Sequence, residues 1–384
     1  MRTVSANLKT HLAAETQTLA TCFRLTLTGA QPTISNVTAA GSPSIVTITT
    51  TYAHRLVAGD VVQIVDVADA TNSPAGITGL NYAHDSNDVF YPVLTAATTT
   101  FTIADPGISG TYVSGGEARK CYGTTNIDKD ILLHGMTYKA DNGSVPSALR
   151  TSIGMQVGTF DNQGIYSDAN ISEQDILLGR VDYAEVESFV CNYESLTDGK
   201  MILAFGYMGQ LKLERNTYIA EFSSLSSVLA QDTIRILSPD CPYDLGDSDC
   251  GLDVAGSPSF TFTGSVAASA TNLTFTDTGR TEADGYFDGG LLTWTSGANA
   301  GLQGEIKDYV IGTASSPVTD PTFTFYEAMP FDISVSPQDT YSVVAGCGKS
   351  ASICKTKFNN IVNFGGFNFL PGMSQISSVG GQRK

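Results

Sequence analysis

Four of the chain's seven cysteines arrive in two pairs, Cys241-Pro-Tyr-Asp-Leu-Gly-Asp-Ser-Asp-Cys250-Gly and Cys347-Gly-Lys-Ser-Ala-Ser-Ile-Cys354. Nearly a hundred residues separate the pairs, so a fold that uses them together must bring two distant loops to one place. Each pair has a glycine beside a cysteine, Gly251 and Gly348. A thiolate centre needs such close backbone approach, because amide N–H groups stabilise negative sulfur. Four thiols together read as a tetrathiolate centre, and zinc, an iron–sulfur cluster and two disulfides are the alternatives. Zinc motifs usually bring cysteines in C-x2-4-C pairs. Here eight and six residues separate the paired cysteines, and the wider loops lean toward a [4Fe–4S] cubane.

The rest of the composition points to strands. Thr, Ser, Gly and β-branched residues dominate, and long Leu/Ala/Glu/Lys stretches are scarce, so the expected class is mainly β. At 384 residues the chain has room for two or three domains. No apolar run approaches the ~18 residues of a membrane span. The first residues carry no apolar core of a secretory signal. With that and an odd number of cysteines, reduced thiols, some of them metal-bound, are expected rather than a disulfide framework. The net charge of −17, from 38 Asp+Glu against 21 Lys+Arg, argues against sequence-independent DNA binding. It suits ordinary solubility or the wall of a conduit.

Taken in order, residues 5–20 predict a helix capped by Ser5, with His11 structural, and Cys22–Thr28 an alternating strand. Residues 29–119 read as a separate small β-sandwich or barrel, with strands near 45–48, 61–65, 90–94 and 100–103. His54 and His84 lack partners at ligand spacing and are expected in solvent-exposed loops. Strands are expected around 136–138, 152–157 and 184–190, and a hairpin over 206–222. A short helix is expected at Ser172–Arg180, and Leu225–Ile236 reads as an amphipathic segment. Asp128 and Asp130 could pass for a carboxylate pair but have no histidine or nucleophile attached by motif, and Cys22, Cys121 and Cys191 read as core residues. Between the cysteine pairs, 257–345 forms another β region around the single tryptophan, Trp294. Residues 373–384 read as a flexible tail. No nucleophile elbow, zinc-protease motif, P-loop or Cys/His/Asn arrangement is present, so a non-enzymatic role is expected.

The four cysteines, with Asn363-Phe364-Gly365-Gly366-Phe367 and Pro371-Gly372 after them, resemble the hub (tail-tip) proteins of long-tailed phages, lambda-like ones included, and of gene transfer agents. The resemblance covers residues 1–28 and 120–372, with 29–119 as an inserted β-module. It implies a discontinuous tail-tube-like β-barrel domain (1–28 and 120–237) and a C-terminal β domain (238–372) clasped by a [4Fe–4S] cluster on Cys241, Cys250, Cys347 and Cys354. It also implies a homotrimer in the virion, assembled in the host cytoplasm. Such a trimer would join the distal tail protein ring to a central fibre or tip protein, near the tape measure protein, with DNA passing through its channel without specific binding. Two other readings compete: a receptor- or carbohydrate-binding adhesin that touches the host through 29–119, and an iron–sulfur redox protein.

Overall fold

The computed structural model describes residues 4–14, 17–29, 31–40, 45–68, 80–81, 89–104, 107–108, 110–140, 145–146, 159–165, 175–176, 178–214, 217–224, 237–254, 259–312 and 320–368. The chain divides into two compact units, Met1–Asp232 and Thr233–Lys384. Both are mainly β with a few short helices, as the composition predicts.

The first unit begins with α1 (Ala6–Leu12), capped by Ser5, whose Oγ accepts the Leu8 N–H at 3.1 Å. The helix stops well short of the predicted residue 20. Thr18 N–H donates to His11 Nε2 at 3.0 Å and Thr18 Oγ1 to Asn192 Oδ1 at 2.7 Å, which turns the chain into a strand. Strand pairing there outcompetes local helix propensity.

Its strands are β1 (Leu19–Thr26), β2 (Ile34–Ala40), β3 (Ile45–Thr50), β4 (Val61–Val67), β5 (Tyr91–Ala96), β6 (Thr100–Ala104) and β7 (Gly115–Thr125). A small hairpin follows, β8 (Ile131–Leu133) with β9 (Met136–Tyr138), then β10 (Val145–Pro146), β11 (Thr159–Ile165), β12 (Glu185–Asn192), β13 (Lys200–Glu214) and β14 (Thr217–Ser224). Among the described residues all but β8 and β9 join one open sheet, in the order β10-β11-β14-β13-β12-β1-β7-β4-β5-β6-β3-β2. The sheet curls as a half-barrel. The expected strand at 152–157, the amphipathic segment 225–236, His84 and the 373–384 tail lie outside the described residues. So does the Ser172 cap, although Gly179 (φ +64°) ends its segment as predicted.

Residues 29–119 have a core of their own, built from Ile34, Val46, Ile48, Val62, Ile64, Phe101, Ile103 and their neighbours. Alternation along β3 and β6 supplies it, each burying every second residue. Their sheet nevertheless runs on without a break into the rest of the unit. The first part of β7, Gly115–Cys121, pairs with β4, and Cys121–Thr125 pairs with β1. At this join the sequence expectation of a solvent-exposed His54 fails, because the side chain is 2% exposed. Its Nδ1 accepts the Leu56 N–H at 2.9 Å, its ring meets Phe101 edge-on at 5.2 Å, and its carbonyl accepts Arg180 Nη2 at 3.2 Å. Burial, with Arg180 nearby, lowers its pKa and keeps it neutral. Lys120 and Asp175 are buried at the same place, 3.5 Å apart, and Asp175 also accepts from Tyr122 and Arg180. Cys22, Cys121 and Cys191 are core residues, as expected. Asp130 is a turn residue bonded to Lys139 at 2.8 Å and to the Ala140 N–H at 3.0 Å.

The second unit holds β15 (Thr261–Ser265), β16 (Thr274–Thr276), β17 (Leu291–Trp294), β18 (Gln303–Val310), β19 (Thr322–Phe325) and β20 (Thr340–Val344). They form a sheet in the order β15-β20-β17-β18-β19-β16. Its core is aromatic: Phe275 stacks on Phe323 at 4.9 Å, and Phe287, Trp294, Tyr309, Phe325 and Tyr341 are buried around them. Phe and Tyr in alternate positions of short Thr-rich strands put these rings on one face. α2 (Ala351–Thr356), capped by Ser350, follows β20.

One ion cluster in the first unit makes a test. Glu187 is buried between Arg24 at 2.9 Å and Lys200 at 2.6 Å. Glu187→Ala would remove the carboxylate that both cations share and is expected to cost about 3–5 kcal/mol, read as a lower urea midpoint for the first unit.

Candidate metal centre

Two loops of the second unit build the centre. The first leaves Ser238, runs through Cys241 and folds back at Asp247. The Asp247 carboxylate accepts the Cys250 N–H at 2.6 Å and the Asp244 N–H at 2.9 Å. These backbone donors, Cys250 first, hold its carboxyl below the usual range. Gly251, at φ +64°, completes the turn by donating to the Asp247 carbonyl at 2.8 Å. An Asp that takes successive backbone N–H groups is the ordinary way to close such a turn.

The second loop begins where β20 ends. Gly346 packs so closely against the chain at Asp288 that a Cβ there would stand 1.9 Å from the Asp288 carbonyl oxygen. That approach sets Cys347 beside the Asp288-Gly289-Gly290 turn. Lys349 then takes a left-handed conformation (φ +57°), and Cys354 is carried on α2. The two loops are joined directly. Cys241 N–H donates to the Lys349 carbonyl at 2.8 Å, and Lys349 Nζ reaches the Tyr243 carbonyl and, at 3.0 Å, the Asp244 carboxylate.

The structure therefore brings together the four cysteines that the sequence singles out. Cys241, Cys250, Cys347 and Cys354 line one small cavity, closed by Tyr243, Leu245, Lys349, Phe358, Asn360 and Asn363. All four are half-buried free thiols. The Cys354 thiol is pushed up by burial and by Cys347, Cys241 and Cys250 around it. Four thiolates in one cavity repel one another, so a bound cation is what would let them ionise together. Among the described residues no group of three or more His, Cys, Asp or Glu is placed as a metal-ion site. Four sulfurs lining one cavity are the donor type that a thiolate-held cluster would use.

Sequence reasoning did not assign roles to several residues around the thiols. Lys357 is half-buried, with Nζ on the Gly346 carbonyl at 2.7 Å, also on the Tyr286 carbonyl, and 4.1 Å from the centre of the Tyr286 ring. Burial lowers its pKa, whereas Cys347 and Asp288 raise it. Phe358 packs on Phe260 at 5.3 Å and walls the cavity. Asn360 Nδ2 donates to the Cys250 carbonyl at 2.7 Å. The one available signal was position: all three follow Cys354 within six residues.

With this geometry in place, comparison with known proteins gives a consistent class. Residues 117–253 match the family of the baseplate hub protein, N-terminal attachment domain. Residues 285–374 match the family described as phage conserved hypothetical protein BR0599. The first match contains Cys241 and Cys250, and the second contains Cys347 and Cys354. Among solved structures, a chain of the virion of a native gene transfer agent particle has the same fold. It is 20% identical with a TM-score of 0.60, over 97% of this chain and 94% of that one. No curated protein matches the chain. Together the matches support a structural protein of a phage-type tail or baseplate.

The burial pattern predicts the thiol chemistry. In native, metal-free protein, alkylation should label Cys241, Cys250, Cys347 and Cys354, while Cys22, Cys121 and Cys191 react only after denaturation. Peptide mass mapping reads the result.

Proposed function

We propose that this protein is the hub of a phage or gene-transfer-agent tail, a virion component that joins the distal end of the tail tube to a central fibre or tip. The observation that carries this reading is the hub attachment-domain match over 117–253, in a chain whose fold parallels a virion subunit over 97% of its length. An open, half-barrel sheet suits the role. Among the described residues its outermost strands are β10 and β2, where neighbouring subunits could add by strand pairing. A homotrimer would place such sheets around a channel, and the net charge of −17 would let DNA pass without adhering. The distal tail protein ring, the central fibre protein and the tape measure protein are the expected neighbours. The inserted module 29–119 would lie outside the ring-forming part, free to meet a host surface. The work of such a protein is assembly and mechanical connection rather than turnover.

In this reading Cys241, Cys250, Cys347 and Cys354 hold a [4Fe–4S] cluster that staples the first loop of the C-terminal unit to its last. Loop spacing, the shared cavity and the mutual influence of the four thiols support it. The cluster would supply binding energy that becomes folding energy, as structural metals do. Lys349 and Lys357 would offset part of its negative charge.

Anaerobic purification with metal and sulfide analysis tests the cofactor. About four irons and four sulfides per chain with broad visible absorption are expected, lost in Cys347→Ala. One zinc without colour would keep the staple and replace the cluster. The hub assignment is tested separately by complementation: tails lacking this protein should end without a tip, and a variant lacking 29–119 should still restore assembly. Restored adsorption without any effect on tail assembly would instead favour the adhesin.

A further inference from the structure

The segment after α2 closes the cavity with two asparagine side chains. Asn359, at φ +49°, reverses the chain, and Asn360 N–H donates to the Cys354 carbonyl at 3.0 Å. Asn360 Nδ2 donates to the Cys250 carbonyl at 2.7 Å and lies 3.5 Å from Cys250 Sγ, within the range of an N–H···S bond. A backbone carbonyl can only accept, so the Cys250 oxygen fixes which end of the carboxamide faces the sulfur. The other end is fixed too: Asn363 Nδ2 donates to Asn360 Oδ1 at 2.9 Å. Gly251 makes room for this pair, since a Cβ there would stand 3.2 Å from Asn363 Nδ2.

We propose that Asn360 tunes the sulfur of Cys250 by direct hydrogen bonding, and that Asn363 is the positioning residue that orients it. This rests on the reading of the four cysteines as one centre, but not on which metal fills it. An N–H···S bond stabilises negative charge on sulfur. It favours the reduced, more negative state of a bound cluster and lowers the charge that Cys250 donates to any bound metal. Of the four thiols, Cys250 is the one reached by this carboxamide, so the effect is confined to one corner of the centre.

Asn360→Leu keeps the side-chain size and removes the donor without adding charge. Asn363→Ala leaves Asn360 in place but unoriented. In protein loaded with cobalt(II), whose thiolate charge-transfer bands report charge on sulfur, the bands are expected to move to lower energy in Asn360→Leu and by less in Asn363→Ala. In anaerobically loaded protein, iron per chain should be unchanged and the midpoint potential should shift negative in the same order. Asn360→Gln, which keeps a donor, should recover part of both effects. Unchanged cobalt bands in Asn360→Leu overturn the proposal, as does a positive shift of potential. Should Asn360→Leu fail to fold, unchanged bands in Asn363→Ala have the same force. If wild-type protein binds no redox-active metal, the cluster reading fails while the cobalt bands still decide this one.

Discussion

The second unit depends on holding together two loops that lie nearly a hundred residues apart in the sequence. Lys349 does this through both its backbone and its side chain: its carbonyl takes Cys241 N–H, and its ammonium takes Tyr243 and Asp244 from the same first loop. A non-glycine residue at φ +57° is uncommon, and the contacts on both sides keep it there. Asp244 is largely exposed, so its ion pair with Lys349 sets position more than stability. Behind β20 the aromatic core anchors the second loop. That core fixes where Cys347 emerges, because Tyr341 and Val343 are buried in it only four to six residues earlier.

How much of this was legible from residues alone depended on the range of the forces involved. Period-two alternation marked most strands correctly, from Ile45–Thr50 to Thr340–Val344, since burial on one face writes itself locally. The cysteine pairs were legible because spacing and glycines carry chemical meaning. The end of α1 was not, because the pairing of Leu19–Thr26 with Glu185–Asn192 is set from over a hundred and fifty residues away. His54 misled for a related reason: it sits among turn residues, yet Arg180, far along the chain, donates to its carbonyl, and its ring packs on Phe101 inside. Asn360 carried no signature, because asparagine after a helix is ordinary turn chemistry until a sulfur is found beside it.

The buried charges of the first unit tie together parts that are distant in sequence. Arg24–Glu187–Lys200 spans β1, β12 and β13, neighbours in the sheet, and Lys120–Asp175–Arg180 ties β7 to the turn segment before β12. Ion pairs of this kind add little net stability compared with apolar packing, but they penalise wrong partners. In a long open sheet, where strands differ little in their Thr- and Val-rich faces, that penalty gives register.

The strand shared by β4 and β1 has a mechanical meaning. A module attached by two loose linkers can swivel and absorb a pull in its tethers. Here β7 passes through both halves as one continuous span, with β4 on its first part and β1 on its second. A tug on residues 29–119 would load a row of backbone hydrogen bonds together, and the sheet of the body would feel it at once. The module is braced like a lever arm, able to transmit torque as well as to reach.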